Sequence, residues 1–288
     1  MKDFPIPVVG LGPGSQSEED TLDYMPMPQG MSTFHAPPLP EPEDVADRVG
    51  AHRVLQAALS ALAEVRHGGA NQRLSLNHLD AADRQLVNQV LGEGEVSARV
   101  TPLGDEPTEI NVQESVFAGV WRVIRSVHGV PVDDQIELGP IPEALREAAQ
   151  QDWRPALPEW AGALPPNVQN APAVLAEIED HMHDWQAGQP AHVVNLTLLP
   201  MTVEDIGFLD HHLGTGRVLI LSRGYGNCRI TNTCRPNGWR VVYYNSADTV
   251  ILNTVEITAL PEVALAAPED LQDSHERLQE VLHWVVQA

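Results

Sequence analysis

At 288 residues the chain is long enough for two modest domains, each with its own buried core. Acidic residues outnumber basic ones 40 to 17, a formal charge of −23, which repels phosphate backbones and makes nucleic acid a poor partner. No run approaches the ~20 apolar residues of a membrane helix, and Met1-Lys2-Asp3-Phe4-Pro5 lacks the basic head and apolar stretch of a secretory signal. With only Cys228 and Cys234, no disulfide framework exists either, so the expectation is a cytoplasmic protein without membrane insertion.

Residues 1–42 hold nine of the 24 prolines, together with Gly10, Gly12, Gly14 and the acidic group Glu18, Glu19, Asp20, Asp23. Proline removes backbone donors and fixes φ, so an extended or disordered N-terminal arm is expected. Gly12-Pro13-Gly14-Ser15-Gln16 lacks the lysine of a phosphate loop and no buried strand precedes it. A first module, 43–151, then begins. Pro42-Glu43-Asp44 supplies an acidic first turn, and Val45, Val49, Val54, Leu55, Leu59 and Leu62 recur at helical spacing until Gly68-Gly69. Residues 74–79 alternate as a strand does, and Asp80 caps a helix carrying Leu86, Val87, Val90 and Leu91. Leu91-Gly92-Glu93-Gly94 closes that helix. Strands are predicted at 95–101, 109–116, 117–127 and 135–138, and Pro142-Glu143 opens an alanine-rich helix.

A segment at 152–172, with Trp153, Trp160 and five prolines, reads as a packed linker with aromatic anchors or as an exposed binding segment. The second module, 173–288, repeats the order of the first. A lead-in helix at 173–185 precedes a strand at 193–199 and a helix at 202–213 with Asp205, Ile206, Leu209 and Leu213. Strands follow at 217–222, 227–233, 239–245 and 250–257, then a terminal helix at 268–286 with Leu271, Leu278, Val281, Leu282 and Val285. Leu213-Gly214-Thr215-Gly216 answers Leu91-Gly92-Glu93-Gly94, Trp239-Arg240-Val241 answers Trp121-Arg122-Val123, and Leu260-Pro261-Glu262 answers Ile141-Pro142-Glu143. The offsets are 122, 118 and 119, and three matches in one order identify an internal duplication. The predicted fold is α+β: two repeated mixed modules (strand, helix, antiparallel strands, helix) behind a Pro-rich arm.

The search for chemistry is mostly negative. Of the 12 histidines, His181 and His183 lie two apart on a predicted helix and point to different sides, while His211 and His212 are adjacent; neither pair has a zinc spacing. Cys228 and Cys234 are too widely spaced for a CxxC redox pair, and Cys228 reads as a buried, inert thiol or as a weak candidate metal ligand. No nucleophile elbow, Walker loop or dinucleotide fingerprint occurs, so neither catalytic residues nor a cofactor are assigned. Sixteen of the 17 basic residues are arginine, and Arg217, Arg223, Arg229, Arg235 and Arg240 crowd into one segment. They read either as solvated strand faces and turns or as a docking surface suited to multi-donor pairing.

Several strings resemble a known family. Gly12-Pro-Gly-Ser-Gln16, Met25-Pro-Met-Pro28, the run from Gln113 through Ala118 to Trp121-Arg122, and above all Ser222-Arg-Gly-Tyr-Gly-Asn-Cys-Arg-Ile-Thr-Asn232 are similar to the HupH/HyaF/HoxQ family of hydrogenase expression and formation proteins. Asn245-Ser246, Asn253-Thr254 and Pro268-Glu269-Asp270 also resemble that family's C-terminal region. The resemblance implies a cytoplasmic accessory protein for a membrane-bound uptake nickel–iron hydrogenase. It would act with a thioredoxin-fold accessory protein on the immature small subunit before twin-arginine export, although some relatives are linked to the large subunit. The family pattern includes Cys228, whereas Cys234 is peculiar to this sequence; the resemblance carries over no catalytic residue.

The reading favoured is a non-enzymatic chaperone holding the small-subunit precursor, with Arg223, Tyr225, Asn227, Cys228, Arg229 and Asn232 as partner-binding candidates on the more distinctive second module. A metal or iron–sulfur handling factor using Cys228, a chaperone of the large subunit, and an enzyme with a site where the repeats meet are the alternatives.

Overall fold

The computed structural model describes residues 48–104, 107–154, 160, 162–224 and 226–287. The arm expected over 1–42 and the acidic helix start at 42–44 lie outside the described residues. In chain order come helix α1 (Val49–Val65), strand β1 (Gln72–Ser75), α2 (Ala81–Leu91), β2 (Val96–Val100), β3 (Thr108–Glu114), β4 (Val120–Val127), β5 (Val130–Leu138) and α3 (Glu143–Gln151). The same succession returns as α4 (Ala171–Asp184), β6 (His192–Asn195), α5 (Val203–Leu213), β7 (Val218–Ser222), β8 (Asn227–Asn232), β9 (Gly238–Tyr244) and β10 (Val250–Ile257). A 3₁₀ turn at Glu262–Ala264 and α6 (Pro268–Gln287) complete it. The fold is α+β and built of two like modules.

Contacts group the chain into two compact units that interleave those modules. The first unit takes the described residues up to Ala148, together with Val218–Gly224 and those from Glu262 onward; the second takes residues from Ala149 to Arg217 and on to Pro261. In the first unit the strands run β1-β5-β4-β3-β2-β7, so a strand of the second module extends the sheet of the first. That join is antiparallel, with Val96 opposite Ser222 and Val100 opposite Val218. The second unit carries β8-β9-β10-β6.

The duplication is exact in register. Glu114 faces Trp121 across β3 and β4, and Asn232 faces Trp239 across β8 and β9. Both indoles are buried and donate to a carbonyl just past the fifth strand of their copy: Trp121 Nε1 to Gly139 O at 2.9 Å, Trp239 Nε1 to Thr258 O at 3.2 Å. Both helix ends turn on a positive-φ glycine, Gly92 at 57° and Gly214 at 67°. Two residues later the backbone comes close to the third strand of each copy: Gly94 N donates to Glu114 O at 2.7 Å, and Gly216 N to Asn232 O at 2.8 Å. A Cβ on either glycine would collide with that strand, 2.2 Å from Ser115 O or 2.0 Å from Asn232 Nδ2, so the repeated Gly-x-Gly is a packing requirement.

In the first core, α1 and α6 pack together and bury Leu55, Leu62, Leu271, Leu278 and Leu282 with Val87 and Val90 of α2 and Ile136 and Leu138 of β5. The buried stripe of α1 differs from the predicted one: Ala51 and Ala58 belong to it, while Val49 is exposed and Leu59 only partly buried. Small residues let α6 approach closely, and an apolar-periodicity reading underweights alanine. The strand predicted over 74–79 ends at Ser75, because Leu76 N donates to Asp134 O and Leu79 N back to Leu76 O, forming a turn that still buries both leucines. β5 starts earlier than predicted, at Val130, because His128 and Gly129, both at positive φ, make a tight hairpin. In the second core α4 and α5 bury Val174, Ile178, Phe208 and Leu209 against Val194, Val255 and Ile257.

The copies differ most at one buried polar position. In the second unit the Asp152 carboxylate accepts from Arg217 N and Arg217 Nε, both at 2.6 Å, and from Asn232 Nδ2 at 3.0 Å. The corresponding positions of the first unit, at offsets of 118 to 122, are Asp270, Glu95 and Glu114: three carboxylates and no arginine. Burial pushes the Glu114 carboxyl up to about 7, with Glu95 and Asp270 adding to the shift and the backbone N–H groups of Gly119 and Val96 opposing it.

Asp152→Ala strands the half-buried Arg217 guanidinium and should cost about 3 kcal/mol, read from urea midpoints at constant slope. For Glu114 the folded value lies above the ordinary carboxylate value, so its contribution is complete below about 4.5 and is lost as pH rises through about 7. Glu114→Gln should therefore match the parent near pH 5 and exceed it at pH 8, by about 3 kcal/mol at most. Equal differences at both pH values in urea titrations would contradict this.

Candidate functional site

The Asp152 carboxylate anchors the chain one residue before Trp153, and Arg154 N donates to Cys234 O at 2.9 Å one residue after it. Held between these fixed points, the Trp153 ring stays 55% exposed, unusual for so large an apolar group. It lines a cleft of about 540 Å³ with Met182 and His183 of α4 and the turn Arg235-Pro236-Asn237 between β8 and β9. Glu179, also on α4, pairs with Arg235 across its rim. The cleft thus combines an aromatic face, a thioether and a proline ring with one charge of each sign. Such a mixture fits a peptide better than a small metabolite.

Among the described residues of the first unit, the matching position is filled. There Leu271 of α6 corresponds to Trp153 and Gly119 to Asn237. Leu271 is 4% exposed and packs so tightly that a Cβ on Gly119, which has φ of 80°, would lie 2.0 Å from its Cδ2. Asn237, at φ 56°, keeps the same left-handed turn with a side chain that tolerates it. One copy has a helix over this turn and the other leaves it open beside an indole.

Five of the six partner-binding candidates lie among the described residues. Tyr225 lies outside the described residues. Arg223 follows β7 in the first unit, its N–H donating to Glu95 O at 3.2 Å. The other four lie on β8, where alternation sends Cys228 and Asn232 to the buried side, while Asn227 and Arg229 alternate with them and are half-buried. Burial pushes the Cys228 thiol up to about 12 beside the Tyr243 hydroxyl, which suits packing better than ligation or nucleophilic attack. Cys234 occupies the position of Val116: Cys234 N bonds Leu213 O as Val116 N bonds Leu91 O. Asn232 Nδ2 donates to the carboxylate of Asp152, the residue before Trp153, at 3.0 Å.

Three of the five arginines concentrated in this segment form internal ion pairs. Arg217 is held by Asp152, Arg235 by Glu179, and Arg240 by Asp210 at 3.3 Å, each with its side chain less than a fifth exposed. Arg229 lies 6.0 Å over the Tyr244 ring. His212 is a core histidine, stacked on Phe208 with Nδ1 2.8 Å from Phe208 O. His181 and His183 do diverge, His183 toward the cleft and His181 toward His192 of β6, where Glu177 joins them. Residue spacing along α4 carries half of that convergence, since Glu177 and His181 are four apart; the strand supplies the remainder and is not visible from spacing.

No helix among the described residues is long and apolar enough to cross a membrane. The C-terminal conserved region of the HupH hydrogenase expression protein family matches twice, over residues 49–163 and 168–285, one match per module. The hydrogenase expression/formation protein HoxQ of Cupriavidus necator is 57% identical over 288 residues, 99% of each chain. The hydrogenase expression/formation protein HupH of Rhodobacter capsulatus is 47% identical over 289 aligned positions, again 99% of each. A solved structure of the hydrogenase expression protein HupH from Thiobacillus denitrificans is 26% identical, covering 38% of this chain and 92% of that one with a TM-score of 0.36. Matched along its whole length by such relatives and twice by their defining region, this chain belongs to the HupH family of hydrogenase expression and formation proteins.

Proposed function

We propose that the chain is a binding accessory of nickel–iron hydrogenase maturation that holds the immature small subunit in the cytoplasm, and that the cleft beside Trp153 is its grip. The observation carrying this reading is the unequal fate of one position in two like modules: closed by Leu271 in the first, open beside a 55% exposed indole in the second. The expression and formation role named for the relatives makes a hydrogenase subunit the natural client. An exposed tryptophan flanked by Met182, Pro236 and the Glu179–Arg235 pair has the composition of an interface centre. A formal charge of −23 adds long-range attraction for a client segment rich in basic residues.

The role is binding and not catalysis, with a thioredoxin-fold accessory protein acting alongside. Iron–sulfur or metal handling through Cys228 has less support, because its thiol is buried and shifted away from the thiolate.

Affinity capture from hydrogenase-expressing cells tests the proposal. Trp153→Ala should lower recovery of the small-subunit precursor by roughly tenfold or more, as loss of a central aromatic anchor does, and Arg235→Glu should weaken it further. Circular dichroism and the urea midpoint should stay at parental values. Capture of the large subunit in its place would redirect the client assignment, and full recovery by both variants would remove the cleft from it.

A further inference from the structure

A second feature of the same unit is independent of the cleft. Glu177 and His181 are four residues apart on α4 and so share one face of the helix. His192 is the first residue of β6, which pairs with β10 through His192 opposite Ile257. One ligating atom from each of the three residues lies within 4.8 Å of the others. His192 Nε2 is 3.5 Å from Glu177 Oε1, and the two imidazoles are stacked with ring centroids 3.3 Å apart and planes 19° from parallel.

Internal structural needs account poorly for this arrangement. His192 Nε2 is buried with no hydrogen-bond partner, whereas buried polar atoms are almost always paired. Neither imidazole can satisfy the other by stacking, since their ring nitrogens lie in parallel planes. A cation between the nitrogens and the carboxylate would satisfy all three groups together. A tetrahedral ion with bonds of about 2.1 Å spaces its ligands about 3.4 Å apart, which the Glu177–His192 edge already matches. A ring nitrogen of His181 lies within 4.8 Å of both partners. The histidine lies in the last turn of α4, where the negative end of the helix dipole favours a cation.

We propose that Glu177, His181 and His192 form a binding site for one first-row divalent metal ion, with zinc as the reference ligand. Two imidazoles and one carboxylate suit zinc, nickel or cobalt and not magnesium or calcium, which take all-oxygen shells. Three protein ligands leave a fourth position for water or for a group from a bound partner. The bound ion ties the C-terminal half of α4 to β6, and so stiffens the helix that also carries Glu179, Met182 and His183.

Calorimetric titration of the full-length chain, stripped with chelator and dialysed, tests this with Zn²⁺ and with Mg²⁺ as the control. One Zn²⁺-binding event that Mg²⁺ neither reproduces nor blocks is expected, with a higher melting temperature in the loaded protein. His192→Ala and, separately, His181→Gln on the more tolerant helix should weaken it at least about tenfold. His183→Ala, two residues beyond His181 and directed toward the cleft, should leave it intact. Co²⁺ should give a tetrahedral visible spectrum in the parent that His181→Gln loses. No zinc binding in the parent, or equal binding after either ligand substitution in a folded variant, overturns the site.

Discussion

The buried carboxylate of Asp152 is the interaction on which the second unit most depends. One side chain answers the backbone N–H and the guanidinium of Arg217 and the amide of Asn232, joining the end of α3 to the start of β7 and the end of β8. A buried ion pair is rarely a net gain in stability over an apolar replacement, but it is unforgiving about geometry. Its consequence here is positional. With Asp152 fixed and Arg154 N bonded to Cys234 O, Trp153 has nowhere to fold back to and remains at the surface.

The first unit solves the same packing problem with different chemistry. Glu114 stands where Asn232 does, and with Glu95 and Asp270 nearby a charged carboxylate is disfavoured; burial holds its proton to about pH 7. A neutral acid can lie against the first turn of α6, and α6 then lays Leu271 over Gly119. Charge and access are thus linked. The copy with an arginine beside its acid leaves its turn open, and the copy with three carboxylates there places a helix over its turn.

Much of this architecture was legible in the amino-acid sequence because the signals were local and repeated. Gly-x-Gly after each second helix, a tryptophan seven residues after Glu114 or Asn232, and a Pro-Glu pair after each last strand are short-range requirements of one supersecondary unit. The exchange of β7 and α6 into the first unit was not legible. Nothing in the pattern of a strand states which module's edge it will join, because hydrogen-bonding edges are chemically alike. The candidate residues fared according to the same rule. Cys228 and Asn232 stood out by type and motif, but strand alternation put both on the buried side, where one packs and the other positions. Trp153 was legible as an aromatic anchor or as a binding segment, and the Asp152 bonds favour exposure.

The long, distinctive sequence run sits in the second copy, the one whose turn is not covered by a helix. A module whose turn is covered by its own helix is constrained by packing, which many apolar residues satisfy. The turn itself is held alike in both copies: in the first, Phe117 N donates to Ser115 Oγ at 3.1 Å and Gly139 N to Gly119 O at 2.9 Å. In the second, Thr233 Oγ1 donates to Gly238 O, Arg235 N to Thr233 Oγ1, and Thr258 N to Asn237 O. Their one side-chain requirement is a hydroxyl, supplied by Ser115 in the first copy and Thr233 in the second. The run from Ser222 to Asn232 leads directly into this turn, and its last residue holds the carboxylate that fixes Trp153. What separates the second copy is therefore this polar anchor beside an open turn, not the bonding of the turn itself.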